Sequence, residues 1–199
     1  MSAVTDLEKR QAALQDEAGA VLAELDLFAL GFGPALPTGS VVSGLMVWRD
    51  LDVMVRGEGL SPRAVLRLLA PLVDRPGFEG LALADERGPR SPTGEVRDER
   101  YHVPISWRHG DALWRIDLTV WPHDLHRNVT EWHGRLRSTI TAEQRTAVLR
   151  IKDAWHRRPE YPDAVGGADV YSAVLDDGVR DPEGFATWLT RRASSVSGA

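Results

Sequence analysis

The stretch Gly39–Val55, GSVVSGLMVWRDLDVMV, constrains the fold more than any other part of the chain. A Gly-Ser pair leads into an apolar run that ends in two aspartates separated by one leucine. Side chains alternate across a strand, so Asp50 and Asp52 share one face while Leu51, Val53 and Val55 share the other. A strand of this kind must pack its apolar face on a core and leave its carboxylates on an accessible side. Two carboxylates side by side repel in a low-dielectric site unless a cation or a proton sits between them. Magnesium bound together with substrate phosphates satisfies that arrangement; an exposed Asp pair closing a turn is the simpler alternative.

A second alternating stretch supplies a possible third carboxylate. Tyr101–Trp107 and Ala112–Trp121 flank Arg108-His109-Gly110-Asp111, which reads as the turn of an antiparallel hairpin. Within the second strand, Arg115, Asp117 and Thr119 face one way and Trp114, Ile116, Leu118 and Val120 the other. A mid-strand aspartate in so apolar a setting is costly to bury without a partner. Completing a site with Asp50 and Asp52 explains Asp117, and a salt bridge to Arg115 or Arg49 is the rival account. His102, on the neighbouring strand, either faces that site or is a hydrogen-bonded structural histidine. Arg49 alternates away from the aspartates, as a structural ion pair or a contact at the rim.

Gly39-Ser40, then Gly44, then Asp50-x-Asp52, then the later Asp117 resembles the pattern of the nucleotidyltransferase superfamily with the polymerase-beta-like catalytic fold. The resemblance covers roughly residues 35–121. It implies an α+β fold, a small mixed sheet of nucleotidyltransferase-like topology flanked by a helical C-terminal part. It also implies transfer of a nucleoside monophosphate from a nucleoside triphosphate such as ATP to an acceptor hydroxyl. In that reading Asp50, Asp52 and Asp117 bind Mg2+, with two ions possible, and carry the catalysis. Gly39 and Ser40 hold the β and γ phosphates, and Lys152 and Tyr171 join them in binding the nucleotide. The pattern departs in one respect: PALPT, just before Gly39, is a poor strand former, so the first strand is expected to be short or irregular. The segment from Asp169 to Val179 also resembles the C-terminal helices of small bacterial nucleotidyltransferase-like proteins, where such helices close one side of the cleft. Tyr171 then walls the acceptor or base pocket. The acceptor is unknown, a small molecule or a protein side chain. The alternative is a catalytically inactive nucleotide- or partner-binding protein on the same scaffold, and a metal-dependent phosphohydrolase is a third reading.

The flanking elements follow from periodicity. Residues 5–30 read as a helix capped by Thr5 or Asp6, with Leu7, Leu14, Ala18, Val21, Leu22, Leu25 and Phe28 apolar. Ser61-Pro62 starts an amphipathic helix over 62–73 that packs on the back of the sheet. Phe78–Glu86 reads as a strand. Gly88–Glu99 reads as a loop whose Arg87, Arg90, Arg97 and Arg100 are either a solvated charge run or a lid over a polyphosphate. Past Pro122 the pattern turns helical: Asp124–Leu136, Thr141–Arg157 with a capping-box Thr141-x-x-Gln144, 167–178 with Gly178 as its C-cap, and Asp181 to about Arg192. Along the second of these helices Ala147, Val148, Ile151 and Trp155 form the apolar positions, with Arg145, Lys152 and Arg158 elsewhere. The tail SSVSGA reads as disordered. Trp48, Trp121, Trp132 and Trp155 are expected to wall sheet from helices. The domain reading is a catalytic unit over 1–121 and a helical extension over 122–199.

Charge and composition bound the rest. With 24 basic and 29 acidic residues the net charge is −5, which argues against general nucleic-acid binding. There is no cysteine, so disulfides and thiolate metal sites are excluded. No 18-residue apolar span and no signal-peptide pattern is present, giving a cytoplasmic protein without membrane contact as the expectation. Nothing in the sequence speaks to oligomeric state.

Overall fold

The end of the Gly39–Val55 stretch becomes strand β2 (Asp50–Arg56), and its partner, paired parallel, is the distant strand β6 (Ala112–Trp121). The computed structural model describes residues 3–123, 127–162 and 164–196. All other strand pairings are antiparallel. β1 (Leu36–Pro37) lies outside β2, β5 (Arg100–His109) lies beside β6, and β3 (Phe78–Leu81) and β4 (Ala84–Glu86) share the outer edge of β5. The result is a mixed sheet with β2 and β6 at its centre. β1 is two residues long, as PALPT led one to expect: proline has no N–H to give a ladder and is tolerated at an edge. The β5–β6 turn is tighter than expected. His109 pairs with Ala112, leaving Gly110-Asp111 as a two-residue turn, with Gly110 at φ +57.

One face of the sheet is apolar. Leu51, Val53 and Val55 of β2 join Trp114, Ile116, Leu118 and Val120 of β6 and the alternating residues of β5 in one buried cluster. Helix α1 (Ala3–Leu25) covers it with Leu14, Ala18, Val21 and Leu25, and α3 (Pro62–Leu69) with Val65 and Leu69. Ser61 caps α3 by accepting from Ala64 N. Two details of α1 differ from expectation. It begins before Thr5 and Asp6, and it ends at Leu25. Asp26 takes φ 37, and Phe28–Phe32 continue as a wider π turn. The changed pitch turns Leu27, Leu30 and Phe32 inward and leaves Phe28 69% exposed.

The opposite face carries the polar residues of β2 and β6 and meets the helical half: α4 (Arg127–Thr139), α5 (Ala142–Trp155), α6 (Gly167–Leu175) and α7 (Pro182–Val196). These helices bury a second cluster built on Val148, Ile151, Trp155, Val170, Val174 and Phe185. Leu45 and Val47, from the segment leading into β2, are buried in that cluster, so sheet and helices share it. The capping box of α5 forms as read, with Gln144 N donating to Thr141 Oγ1 and Thr141 N to Gln144 Oε1. Its apolar positions Ala147, Val148, Ile151 and Trp155 are buried as read, and Leu149 and Lys152 are buried with them. Of the four tryptophans, Trp121 and Trp155 are buried, whereas Trp132 stands 39% exposed.

The remaining expectations divide. Loop 88–99 folds as two short 3-10 turns, Gly88–Arg90 and Val96–Asp98. Its arginines pair locally, Arg87 and Arg90 with Asp85, Arg97 with Glu95, and Arg100 with Glu86. α6 stops at Leu175, before Gly178, and α7 continues past Arg192 through 194–196, which were expected to be disordered. The rest of that tail, 197–199, and the expected helix start at Asp124 lie outside the described residues. Among the described residues no helix is long and apolar enough to cross a membrane.

Candidate active site

Register decides what meets on the polar face. Parallel pairing sets Asp52 opposite Asp117 and Asp50 opposite Arg115. Neighbouring strands lie about 4.8 Å apart, so three carboxylates from positions 67 residues apart at most occupy one patch. Helix α2 (Gly39–Ser43) follows β1 and brings its first residue onto that patch. Gly39 has φ +65, and a Cβ built there would land on Asp52 Oδ2. Only glycine permits both the backbone angle and the approach. Thr38 N donates to Asp52 O at 3.0 Å, tying the turn to the strand.

A cleft of about 730 Å³ opens over the patch, between the sheet and helices α4, α5 and α6. Its lining includes all seven residues singled out in the sequence: Gly39, Ser40, Asp50, Asp52, Asp117, Lys152 and Tyr171. Loop arginines 87, 90, 97 and 100 do not line it, so the lid has no support in this arrangement. Arg49 pairs with Glu17 at 2.8 Å, the structural alternative.

The carboxylates have unlike environments. Burial, then the charges of Asp52 and Asp117, pushes Asp50 up to about 8. Its Oδ1 is buried with no hydrogen-bond partner. Burial and Asp117 push Asp52 up to about 6. Burial also works against ionised Asp117, but the hydrogen bond and charge of His102, with Arg115 and Arg100, outweigh it and hold this carboxyl below its ordinary value. His102 Nε2 contacts Asp117 Oδ1, and Arg115 Nη2 lies 3.4 Å from Oδ2. Both accounts of Asp117 thus hold together: it belongs to the carboxylate patch and it is salt-bridged. Facing them, burial would depress the Lys152 ammonium, but Tyr171, Tyr161, Asp50 and Asp52 more than compensate and raise it. Lys152 Nζ donates to Leu45 O at 2.9 Å and lies 5.7 Å from the centre of the Tyr171 ring.

The donor set, all carboxylate oxygens with one orphaned and two pushed towards protonation, suits a hard divalent cation. The present rotamer of Asp117, engaged by His102 and Arg115, does not. Among the described residues no three His, Asp or Glu side chains converge closely enough to hold a metal ion as they stand.

Sequence reasoning missed part of the far wall. His133 and Tyr161 line the cleft beside Trp132 and Tyr171. His133 packs 4.9 Å from Trp132 and 5.9 Å from Tyr171, centroid to centroid, and its Nδ1 is buried without a partner. Burial and then Lys152 lower its pKa to about 4. His133 sits in a polar helix and Tyr161 between proline-rich turns, so neither carried a periodic signal.

No family model matches the sequence, and no match among curated proteins is found. Solved structures do share the fold. A chain of the poly(A) polymerase complex GLD-2–GLD-3 superposes with TM-score 0.54 over 88% of this chain at 16% identity. A cytoplasmic RNA terminal U-transferase superposes with TM-score 0.52 over 86% at 18% identity. The matches cover 58% and 53% of those chains, so this chain spans little more than half their length. The exclusion of general nucleic-acid binding drawn from net charge is overturned by these likenesses, because the fold carries proteins that act on RNA. A whole-chain charge of −5 says nothing about where individual basic groups sit. At such identities the likeness is one of fold alone.

Proposed function

We propose that the protein is a magnesium-dependent nucleotidyltransferase that moves a nucleoside monophosphate from a nucleoside triphosphate to an acceptor hydroxyl. The observation that carries this reading is the parallel register of β2 and β6, which sets Asp50, Asp52 and Asp117 in one cleft beneath the Gly39-Ser40 turn. Asp50 and Asp52 would hold magnesium, with Asp117 completing the set once its carboxylate leaves His102. When bound, such an ion would supply positive charge for a triphosphate and favour ionisation of the two raised carboxylates. Lys152 gives a fixed cation beside the same place, and Tyr171 and Trp132 give ring surface for a base. The acceptor oxygen forms a bond to the α-phosphorus as the bond from that phosphorus to the bridging oxygen breaks. Pyrophosphate leaves with the electron pair. Asp117, released from His102 and still beside Arg115, accepts the acceptor's hydroxyl hydrogen and passes the proton to solvent. The chemistry rests on placement and charge rather than on a covalent intermediate. In this reading residues 1–121 form the catalytic unit and residues 122–199 the extension that closes the cleft.

A second reading, a nucleotide-binding protein without transfer activity, is favoured by the engagement of Asp117 with His102 and Arg115. One experiment separates the two. Pyrophosphate release is followed with each of the four nucleoside triphosphates, with magnesium or EDTA, while RNA, small hydroxyl compounds and proteins are offered as acceptors. Transfer predicts magnesium-dependent release that Asp52→Asn abolishes without unfolding the protein. Nucleotide-induced stabilisation that is indifferent to magnesium, with no pyrophosphate, selects the second reading and rejects the first.

A further inference from the structure

Helix α2 is five residues long, and a single turn of helix does not hold itself in water. Its internal support is slight: Gly44 N and Leu45 N both return to Ser40 O, and Ser43 Oγ returns to Gly39 O. Yet this element sets Gly39 against Asp52, where no Cβ would fit. What fixes it comes from outside: α4 packs along it, and side chains from α1 and α5 bond its carbonyls. Gln15 of α1 donates through Nε2 to Val41 O in the middle of α2. Arg145 of α5 donates through Nη1 to Gly44 O at its end, 2.8 Å.

These two side chains are joined. Arg145 Nη2 donates to Gln11 Oε1 at 2.7 Å, and Gln11 Nε2 donates to Gln15 Oε1 at 3.0 Å. Gln11, at the middle of the relay, is 7% exposed, and Gln15 and Arg145 at its ends are half-buried. A polar chain with a buried middle is costly unless every member is satisfied. Here it is satisfied, and both ends terminate on carbonyls of the same short helix. Packing α1 against α5 would need only apolar contact at this place. Two polar ends converging on α2 point to a demand for its position.

We propose that Gln15 and Arg145 are positioning residues that hold α2, and with it the Gly39-Ser40 turn, at a fixed height over Asp52. Neither lines the cleft. They act through α2, and the consequence for ligand binding rests on the reading of the cleft as a nucleotide site. Loss of either contact lets α2 fray, so that the turn is correctly placed only part of the time. Nucleotide affinity falls by the lost fraction, and the β2–β6 pairing beneath stays intact.

Hydrogen–deuterium exchange of the metal-free protein reads this directly at the Gly44 and Leu45 amides. Arg145→Met and Gln15→Met are each expected to speed exchange there by about tenfold, the effect of one or two buried hydrogen bonds. Amides paired between β2 and β6 keep their parent rates. Arg145→Lys, which still reaches a carbonyl, stays within about twofold of the parent. The Kd for nucleoside triphosphate with magnesium, taken from thermal shifts, rises by a similar factor in the two Met variants and recovers in Arg145→Lys. If Arg145→Met does not fold, Gln15→Met alone carries the measurement. Unchanged exchange at Gly44 and Leu45, or acceleration spread equally over β2 and β6, overturns the proposal by reducing the relay to packing. A parent protein that binds no nucleotide removes the functional reading instead, and the exchange rates still decide whether the relay holds α2.

Discussion

Replacing Asp50 with asparagine should flatten the pH dependence of stability of the metal-free protein between pH 6.5 and 8. Asp50 has a folded pKa of about 8 against an ordinary 3.8. Between those values the folded state keeps a proton that the unfolded chain has already released. Stability therefore declines as pH rises through the window and stops declining above the folded pKa, at about 1.4 kcal/mol per pH unit for one proton. His133 acts in the opposite sense lower down. Its pKa falls from 6.5 to about 4, so its contribution is lost as pH falls from 6.5 to 4. Below pH 6.5 the two slopes oppose each other. Above it Asp50 stands alone, because Asp52 titrates near 6. Over 1.5 pH units the parent should lose roughly 2 kcal/mol, or about 4–8 °C in Tm for a domain of this size. Thermal denaturation in EDTA at half-unit steps from pH 6.5 to 8 measures it. Asp50→Asn should give a Tm level across those steps, and adding magnesium to the parent should cancel most of its slope. Parallel profiles for parent and variant would refute the account of Asp50 as a buried, repelled carboxyl.

Three further outcomes are expected. Gly39→Ala should destabilise the fold by roughly 1–2 kcal/mol from its left-handed backbone alone, and more as Asp52 is displaced; urea denaturation should show the loss, and magnesium with nucleotide should no longer raise Tm. His133→Phe should remove the acid-side loss and leave the opposing gain from Asp50 and Asp52 uncompensated, so that between pH 6.5 and pH 4.5 chemical denaturation shows the variant gaining roughly 2–3 kcal/mol relative to the parent. His102→Ala should release Asp117 and raise its pKa, since the His102 hydrogen bond is what chiefly offsets burial there, and NMR titration of the Asp117 carboxyl carbon reads the shift.

Much of the site was legible because its residues break local rules. Asp50 and Asp52 alternate with buried leucine and valine, and Asp117 sits in mid-strand among largely apolar neighbours, so each demanded an explanation where it stood. The helical second half was equally plain from its periodicity and from the cap at Thr141. What pairs with what was not legible. Nothing local says that residues 50–56 align with 115–121, and only that alignment places Asp52 opposite Asp117. Lys152 reads as one more polar position on α5, since its burial depends on Leu45 and Tyr171 arriving from elsewhere. Phe28 was misread because a π turn changes the pitch after Leu25. The charge argument against nucleic acid failed for a related reason: a sum over the chain holds no positions.

The pairing of β2 with β6 also bears on how the molecule comes into being. The two strands are separated by the whole of α3, β3, β4 and β5, so their contact closes one of the longest loops in the chain, a slow event by topology. A ribosome-bound chain that has delivered β2 but not β6 holds Asp50 and Asp52 on an unfinished sheet edge, with no third carboxylate and no cleft. The cleft further requires α5 and α6, which emerge later still. Any ligand that needs all of these walls can bind only after α6 has emerged, so its capture would report that synthesis has passed Leu175.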